Sequence, residues 1–224
     1  MLIDVLSLFP GYFNGPFSES MIKRAREKEL VNIRLTDIRD FADNRFNRVD
    51  DRPYGGGPGM VMMPQPTVAA IRHVKTAQSR VIYLTPQGRR LTAEKCRQLA
   101  GESHLILLCG HYEGVDQRVL DHEVDEEISI GDYVLTNGCL AAIVVVDSVI
   151  RFIPGVLGHA LAADEDSFEK GLLDCPHYTR PEIFEEHPVP AVLLSGNHQE
   201  IAKWRQGQAL KKTREVRPDL LNEV

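Results

Sequence analysis

At 224 residues with 43% hydrophobic side chains, the chain can bury a full core, as one large domain or as one domain with a small appendage. No run of about 18 apolar residues occurs, which excludes a helical membrane span, and four scattered cysteines (Cys96, Cys109, Cys139, Cys175) with no CxxC pair argue for reduced thiols in a cytosol, without a zinc site or a disulfide framework. The formal net charge of −6 argues globally against nucleic-acid binding, but the distribution of charge matters more than its sum.

In chain order, MLIDVLSLFPGYF has the outline of a signal peptide, yet it lacks a basic start and Asp4 interrupts its apolar run, so a first buried strand is expected there. LIDVLSLF, VNIRL, RVIYL and HLILLC read as buried strands. Between them FSESMIKRAREKEL reads as a helix capped by Ser18, PQPTVAAIRHVKTA as a second helix, and LTAEKCRQLAGE as a third with Thr92 as N-cap and Gly101 as stop. AAIVVVDSVIRFIP is β-branched, but its length, with Asn137-Gly138 before it and Pro154 after it, favours a helix. This alternation predicts an α/β domain with a largely parallel sheet over 1–158. A small, acidic stretch follows, and 159–170 reads as a mobile linker. From 171 to 224 a small helical C-terminal domain is expected, its main helix opening at SGNHQE with Asn197 and Glu200 as a capping box.

Charge clusters locally. Lys203, Arg205, Lys211, Lys212, Arg214 and Arg217 stand against Glu215 alone between 201 and 217, while the acidic excess lies in DHEVDEE and ADEDSFE. The basic run is either a solvated helix face or a phosphate-binding surface. In DRPYGGGPGM, no Lys-Ser/Thr follows the last glycine and no strand precedes the first, so neither a Walker loop nor a dinucleotide fingerprint fits. Either a tight turn or a loop whose bare backbone packs on a flat ligand remains. LTPQG, LCGHYEGVDQR and ISIGDYVLTNG sit at turns after apolar or strand-like segments, where ligands of open α/β sheets bind. Glu113 at such a turn, Arg151 at a helix end, and Asp164 and Asp166 in the linker are the polar candidates, each also explained by helix-dipole or solvent contact. The histidines show no metal-ligand spacing, and no serine or cysteine nucleophile is marked.

The ordered motifs DRPYGGGPGMVM, LTPQG, LCGHYEGVDQR, SIGDYVLTNG, RFIPGVLG, DSF, LLDCPHYTRP and LLSGNH…WR span essentially the whole chain. Together they resemble the bacterial tRNA (guanine-N1)-methyltransferases of the SPOUT superfamily. The resemblance implies methyl transfer from S-adenosylmethionine to N1 of the guanosine immediately 3′ of the tRNA anticodon. It implies a parallel sheet with a deep trefoil knot and a cytoplasmic homodimer whose active sites are shared between chains. It assigns cofactor contacts to Leu84, Pro86, Gly110, Tyr112, Glu113, Gly114, Ile130, Gly131, Asp132, Tyr133, Val134, Leu135 and Gly138. Asn137 stands where the family often has a glycine, and Asn tolerates left-handed backbone. By the same resemblance Asp166 is the base that removes the N1 proton and Arg151 stabilises charge on O6. Glu113 would help hold a Mg²⁺ ion. Pro58 and Gly59 would pack on the flipped guanine, and Lys203, Arg205, Lys211 and Lys212 would contact anticodon-arm phosphates.

Three other readings stand beside this one. They are a related methyltransferase acting on ribose or ribosomal RNA, a non-catalytic RNA-binding dimer on the same fold, and a dinucleotide-dependent dehydrogenase. LLDCPHYTRP weighs against the first, and the missing strand-borne G-x-G-x-x-G against the last.

Overall fold

The computed structural model describes residues 1–158, 163 and 166–221. Much of the linker expected at 159–170, Asp164 included, lies outside the described residues. The chain divides into two compact units, Met1–Ala160 and Leu161–Val224.

The first unit is mixed α/β around a parallel sheet. Its five strands are β1 (Leu2–Ser7), β2 (Asn32–Asp37), β5 (Ser79–Arg90), β6 (His104–Cys109) and β7 (Glu126–Ser129). They lie in the order β2-β1-β6-β5-β7, all parallel. A small antiparallel pair, β3 (Asp50–Asp51) and β4 (Val61–Met62), stands apart. Every residue of β6 is buried, as expected of a central parallel strand covered on both faces.

Alternation along the strands feeds two cores. Ile3, Val5, Ile82, Leu105 and Leu107 pack with α1 (Ser20–Glu27), α3 (Ala93–Ala100) and α5 (Cys139–Ile150). Leu6, Val81, Tyr83, Ile106 and Leu108 pack with α2 (Pro64–Val74) and α4 (Gln117–Glu123). The result is a helix–sheet–helix sandwich.

Asp4, which breaks the first apolar run, is fully buried because its neighbours satisfy it. Arg34 Nε donates to its Oδ1 at 2.7 Å, and His104 Nε2 lies 2.7 Å from its Oδ2. His104 Nδ1 in turn meets Ser79 Oγ at 2.7 Å. A buried carboxylate is tolerated when paired and hydrogen-bonded in this way. The network occupies the amino-terminal part of β1, β6 and β5 (Leu2 pairs with His104, His104 with Ser79), leaving the carboxyl ends free for a ligand.

Most sequence-derived helix signals hold. Thr92 accepts from Lys95 N, Gly101 ends α3, and α5 is a helix despite its β-branched content. Ser18 is a correction: its hydroxyl donates to Asn14 O, and α1 starts at Ser20 after Glu19 without a side-chain cap.

The second unit contains a hairpin, β8 (Ile183–Phe184) with β9 (His187–Pro188), then α6 (Ala191–Leu194) and α7 (His198–Val216). The hairpin corrects the purely helical expectation for this region. Asn197 caps α7 through Gln199 N and Glu200 N, but its own N–H bonds Ser195 Oγ rather than completing a capping box with Glu200. Both hairpin-turn residues are left-handed, Glu185 at φ 47° and Glu186 at φ 67°. Two-residue turns of this kind favour Asn-Gly, because a Cβ at positive φ is strained. Glu186→Gly is therefore expected to stabilise the chain by about 0.5–1 kcal/mol and raise its thermal midpoint by about 2–4 °C. A calorimetric scan checks this, and an unchanged or lower midpoint contradicts the turn geometry. Among the described residues no helix is long and apolar enough to cross a membrane.

Candidate active site

Strands β1, β5 and β6 run in register, so their carboxyl ends meet at one edge. There Ile128 of β7 pairs with both Leu84 and Arg89 of β5, so Thr85 to Gly88 loop out between two paired stretches. This loop, the one after β6 (110–117) and the one after β7 (130–138) enclose a cavity of about 340 Å³. That volume lies at the lower end of the range for small-ligand sites.

The cavity holds together through backbone. Gly138 N donates to Gly110 O at 2.8 Å, joining the start of α5 to the end of β6. A Cβ on Gly138 would lie 2.9 Å from Cys109 Cα and 3.0 Å from Gly110 N. Only glycine permits this approach, since both obstructing atoms are main chain. Asn137 does not need left-handed backbone; its Oδ1 accepts from Cys139 N at 2.9 Å.

Of the cofactor contacts assigned by resemblance, all line the cavity except Asp132. Asp132 instead pairs with Arg90 at 2.6 Å, with both side chains largely exposed. Residues not assigned beforehand also line it, including Thr85, Gln87, His111, Gln117 and Asn137. His111 was discoverable, since it lies inside the quoted CGHYEG motif. Its ring meets Phe9 at 5.0 Å and Tyr112 at 4.4 Å, and its Nδ1 is buried without a hydrogen-bond partner. Such an orphan is rare and costly in a closed structure. Burial also pushes the Tyr83 phenol up from its usual pKa, so it stays neutral beside the cavity.

The glycine loop is the turn between β3 and β4. Glu113 N donates to Met60 O at 3.0 Å and Met62 N to Gly114 O at 2.9 Å, which ties the loop to the cavity wall. Gly59 sits at φ +81°, and a Cβ there would lie 2.6 Å from Glu113 Cγ. What the bare Gly59 approaches is thus the Glu113 side chain. Pro58 beside it is exposed.

The remaining candidates are not among the residues that line the cavity. Arg151 caps the carboxyl end of α5, and the helix lining the cavity at its other end is about 18 Å long at 1.5 Å per residue. Leu140, Val144, Asp147 and Arg151 follow one another at helical spacing along the less buried side of α5, with Leu140 44% and Val144 42% exposed. Asp166 belongs to the second unit, where its Oδ1 accepts from Ser167 N and it lines a hollow with Lys170, Asp174 and Arg205.

The four candidate phosphate contacts do not form one stripe on α7. At 100° per residue Arg205 and Lys212 fall on one flank and Lys203 and Lys211 on another, and Arg205 lines the hollow. Asp174, Cys175 and His177 bring ligand-type atoms within 4.8 Å of one another, with Asp174 Oδ2 and His177 Nε2 at 2.7 Å. The sequence scan passed over this D-C-P-H group because its spacing matches no common zinc motif.

Comparison with known proteins agrees with the motifs. The sequence model of the family described as tRNA (Guanine-1)-methyltransferase TrmD matches residues 1–223. The chain is 78% identical over 221 residues to the tRNA (guanine-N(1)-)-methyltransferase of Protochlamydia amoebophila, covering 99% of this chain and 100% of that protein. It is 55% identical over 225 residues to that of Geobacillus kaustophilus, covering 100% of this chain and 92% of that protein. It is 57% identical over 220 residues to that of Chlamydia pneumoniae, covering 98% of this chain but spanning only 61% of that relative's length.

Proposed function

The chain belongs to the tRNA (guanine-1)-methyltransferase TrmD family, and we propose that it methylates N1 of the guanosine immediately 3′ of the tRNA anticodon, using S-adenosylmethionine. The observation carrying this reading is the cavity itself, three backbone-rich loops at the carboxyl ends of β5, β6 and β7. The reading includes the knotted SPOUT topology, supported by the three loops lining one cavity and by the Gly138 N to Gly110 O bond that joins the start of α5 to the end of β6.

The residues present fit the cofactor. Leu84, Ile130 and Leu135 offer an apolar wall for a flat base, and the glycines expose backbone amides and carbonyls for polar atoms. His111 Nδ1 supplies a hydrogen-bonding atom that no group among the described residues satisfies, and Glu113 offers negative charge to a sulfonium. When bound, S-adenosylmethionine supplies an electrophilic methyl group. Magnesium fits less well. Glu113 is the one carboxylate lining the cavity among the described residues, too few oxygen ligands to hold a hard cation by the protein alone.

Guanine N1 carries a proton and is a poor nucleophile until it is lost. Asp166 accepts that proton while the new N–C bond forms. Arg151 donates to O6, where negative charge gathers as the proton leaves. The cavity loops hold the reacting carbon and exclude water. Arg151 stands a helix length from its own chain's cavity, on a side of α5 with exposed Leu140 and Val144. A second copy seated on that side would bring Arg151 to the partner's site, which supports a homodimer with shared sites. Basic groups on more than one flank of α7 suit a folded RNA wrapping the helix. The four buried cysteines, none of them in a disulfide, support a cytoplasmic setting.

Purified protein incubated with labelled S-adenosylmethionine and unmodified tRNA transcript is expected to place the label on N1 of that guanosine, mapped by mass spectrometry. Label on a ribose, or only on ribosomal RNA, would overturn the substrate. A folded protein with no S-adenosylmethionine binding by calorimetry would overturn the enzyme reading.

A further inference from the structure

We propose that Cys109 and Cys139 form a reversible disulfide when hydrogen peroxide enters the ligand-free cavity, and that this bond closes the cavity to its ligand. Both thiols are buried, at 2% and 1% exposure, in the same core cluster. Their main chains touch at the same point, through the Gly138 N to Gly110 O bond and the close approach of Gly138 to Cys109 Cα. A disulfide needs such short backbone separation. Each cysteine adjoins a cavity-lining glycine, Gly110 or Gly138. The thiols themselves do not line the cavity, so a small oxidant reaches them past these two glycines, which a bound ligand would cover.

The two thiols have unequal roles. Cys139 stands at the first position of α5, where a helix N-terminus favours a thiolate, and its Sγ lies 3.2 Å from Ser7 Oγ. The Cys109 bond first, then the Ser7 bond, lower its pKa to about 7 against the opposing effect of burial. Cys109, the donor to that thiolate, is held well above its usual range by the same bond and by burial. Its place at the helix N-terminus makes Cys139 the nucleophile, with Cys109 as the resolving group. The Cys139 thiolate attacks one peroxide oxygen, the O–O bond breaks, and the departing hydroxide takes up a proton as water. This leaves a sulfenic acid on Cys139. The Cys109 sulfur attacks that sulfur, the S–O bond breaks, and the Cys109 proton leaves with the hydroxide as a second water. Two thiols are oxidised and one peroxide is reduced. Drawing the sulfurs into a bond moves Cys139 away from Ser7 and shifts Gly138 at the cavity wall. Cytosolic disulfides, where they occur, are mostly transient and redox-sensing.

The effect on ligand binding rests on the cavity being the S-adenosylmethionine site, whereas formation of the bond does not. The intact protein is treated with hydrogen peroxide, quenched with N-ethylmaleimide and digested with trypsin. Arg118 lies between the two cysteines, so the bond appears as two joined peptides that separate on reduction. The joined peptides are expected in the wild type and not in Cys109→Ser or Cys139→Ser. Saturating S-adenosylmethionine is expected to slow their formation at least tenfold. The rate is expected to rise about tenfold between pH 6 and 8, since the thiolate is the attacking form. Oxidised wild type, which needs no substitution, is expected to bind S-adenosylmethionine at least tenfold more weakly and to recover on reduction. No joined peptide, oxidation that stops at sulfinic acid on Cys139, or a joined protein with unchanged affinity each overturns the proposal. A joined, reducible peptide in protein that never binds S-adenosylmethionine keeps the disulfide and overturns the ligand assignment instead.

Discussion

Asp166→Ala is expected to lower methyl transfer about a thousandfold while changing S-adenosylmethionine affinity less than about twofold, because it removes the proposed general base and leaves the cavity intact. Asp166 lies in Leu161–Val224 and the cavity in Met1–Ala160, so binding and chemistry are separable by mutation. Arg151→Ala is expected to lose about a hundredfold, as when one preorganised donor to a developing charge is removed. Mixed dimers test whether the site is shared. An Asp166→Ala chain co-purified with a Gly138→Ala chain has one intact cavity and one intact Asp166, on different protomers. If Asp166 serves the partner's cavity, each mixed dimer regains one competent site and about half the wild-type rate. If every chain serves itself, mixing restores nothing and the shared-site reading fails. Single-turnover rates separate chemistry from product release.

Gly138→Ala carries the second large effect. The added methyl meets Cys109 Cα at 2.9 Å and Gly110 N at 3.0 Å, and neither main-chain atom can turn aside as a side-chain tip would. Overpacking of this kind costs about 1–3 kcal/mol. The strain falls on the Gly138–Gly110 hydrogen bond, so S-adenosylmethionine affinity is expected to drop at least tenfold. Gly207→Ala is the control. It lies inside α7 with nothing within 4 Å of its missing Cβ, and there alanine is expected to add about 0.5–1 kcal/mol. Calorimetric binding and thermal scans on both variants decide the matter. Wild-type affinity in Gly138→Ala would mean that the α5–β6 junction does not shape the ligand site.

Periodicity made the sheet and its helices legible, since short apolar runs such as HLILLC suit strands covered on both faces, while the longer apolar run of α5 was told from a strand by its length. Thr92, Gly101 and Asn197 were legible because caps act within a turn of their own position. Ser18 misled because its hydroxyl had another acceptor, Asn14 O, within reach. The β8–β9 hairpin stayed hidden because two paired residues per strand carry no periodic signal, and Ile183 and Phe184 remain exposed. At the site, motif order located the cavity loops but not where each side chain points. Asp132 sits among cavity-lining neighbours, yet its carboxylate goes to Arg90. The basic run on α7 looked like one patch in linear sequence, and helical phase splits it. Gly59 and Glu113 are far apart in sequence, and only the hydrogen bonds from 60–62 to 113–116 bring them together.

The pairing of Leu2 with His104 sets a timetable for synthesis. A nascent chain can join β1 to β2 early, but the other edge of β1 has no partner until β6 has been made. At bacterial elongation rates, about a hundred residues take roughly 5–20 s to add. Through that interval the chain carries an apolar strand with one unpaired edge, the form most apt to pair with a neighbouring nascent chain. Crowded polysomes and slow codons before residue 104 would lengthen the exposure, while a chaperone covering the first forty residues would shorten its consequences. The same long-range pairing that aligns the strand ends at the cavity thus leaves β1 among the last strands to be fully protected.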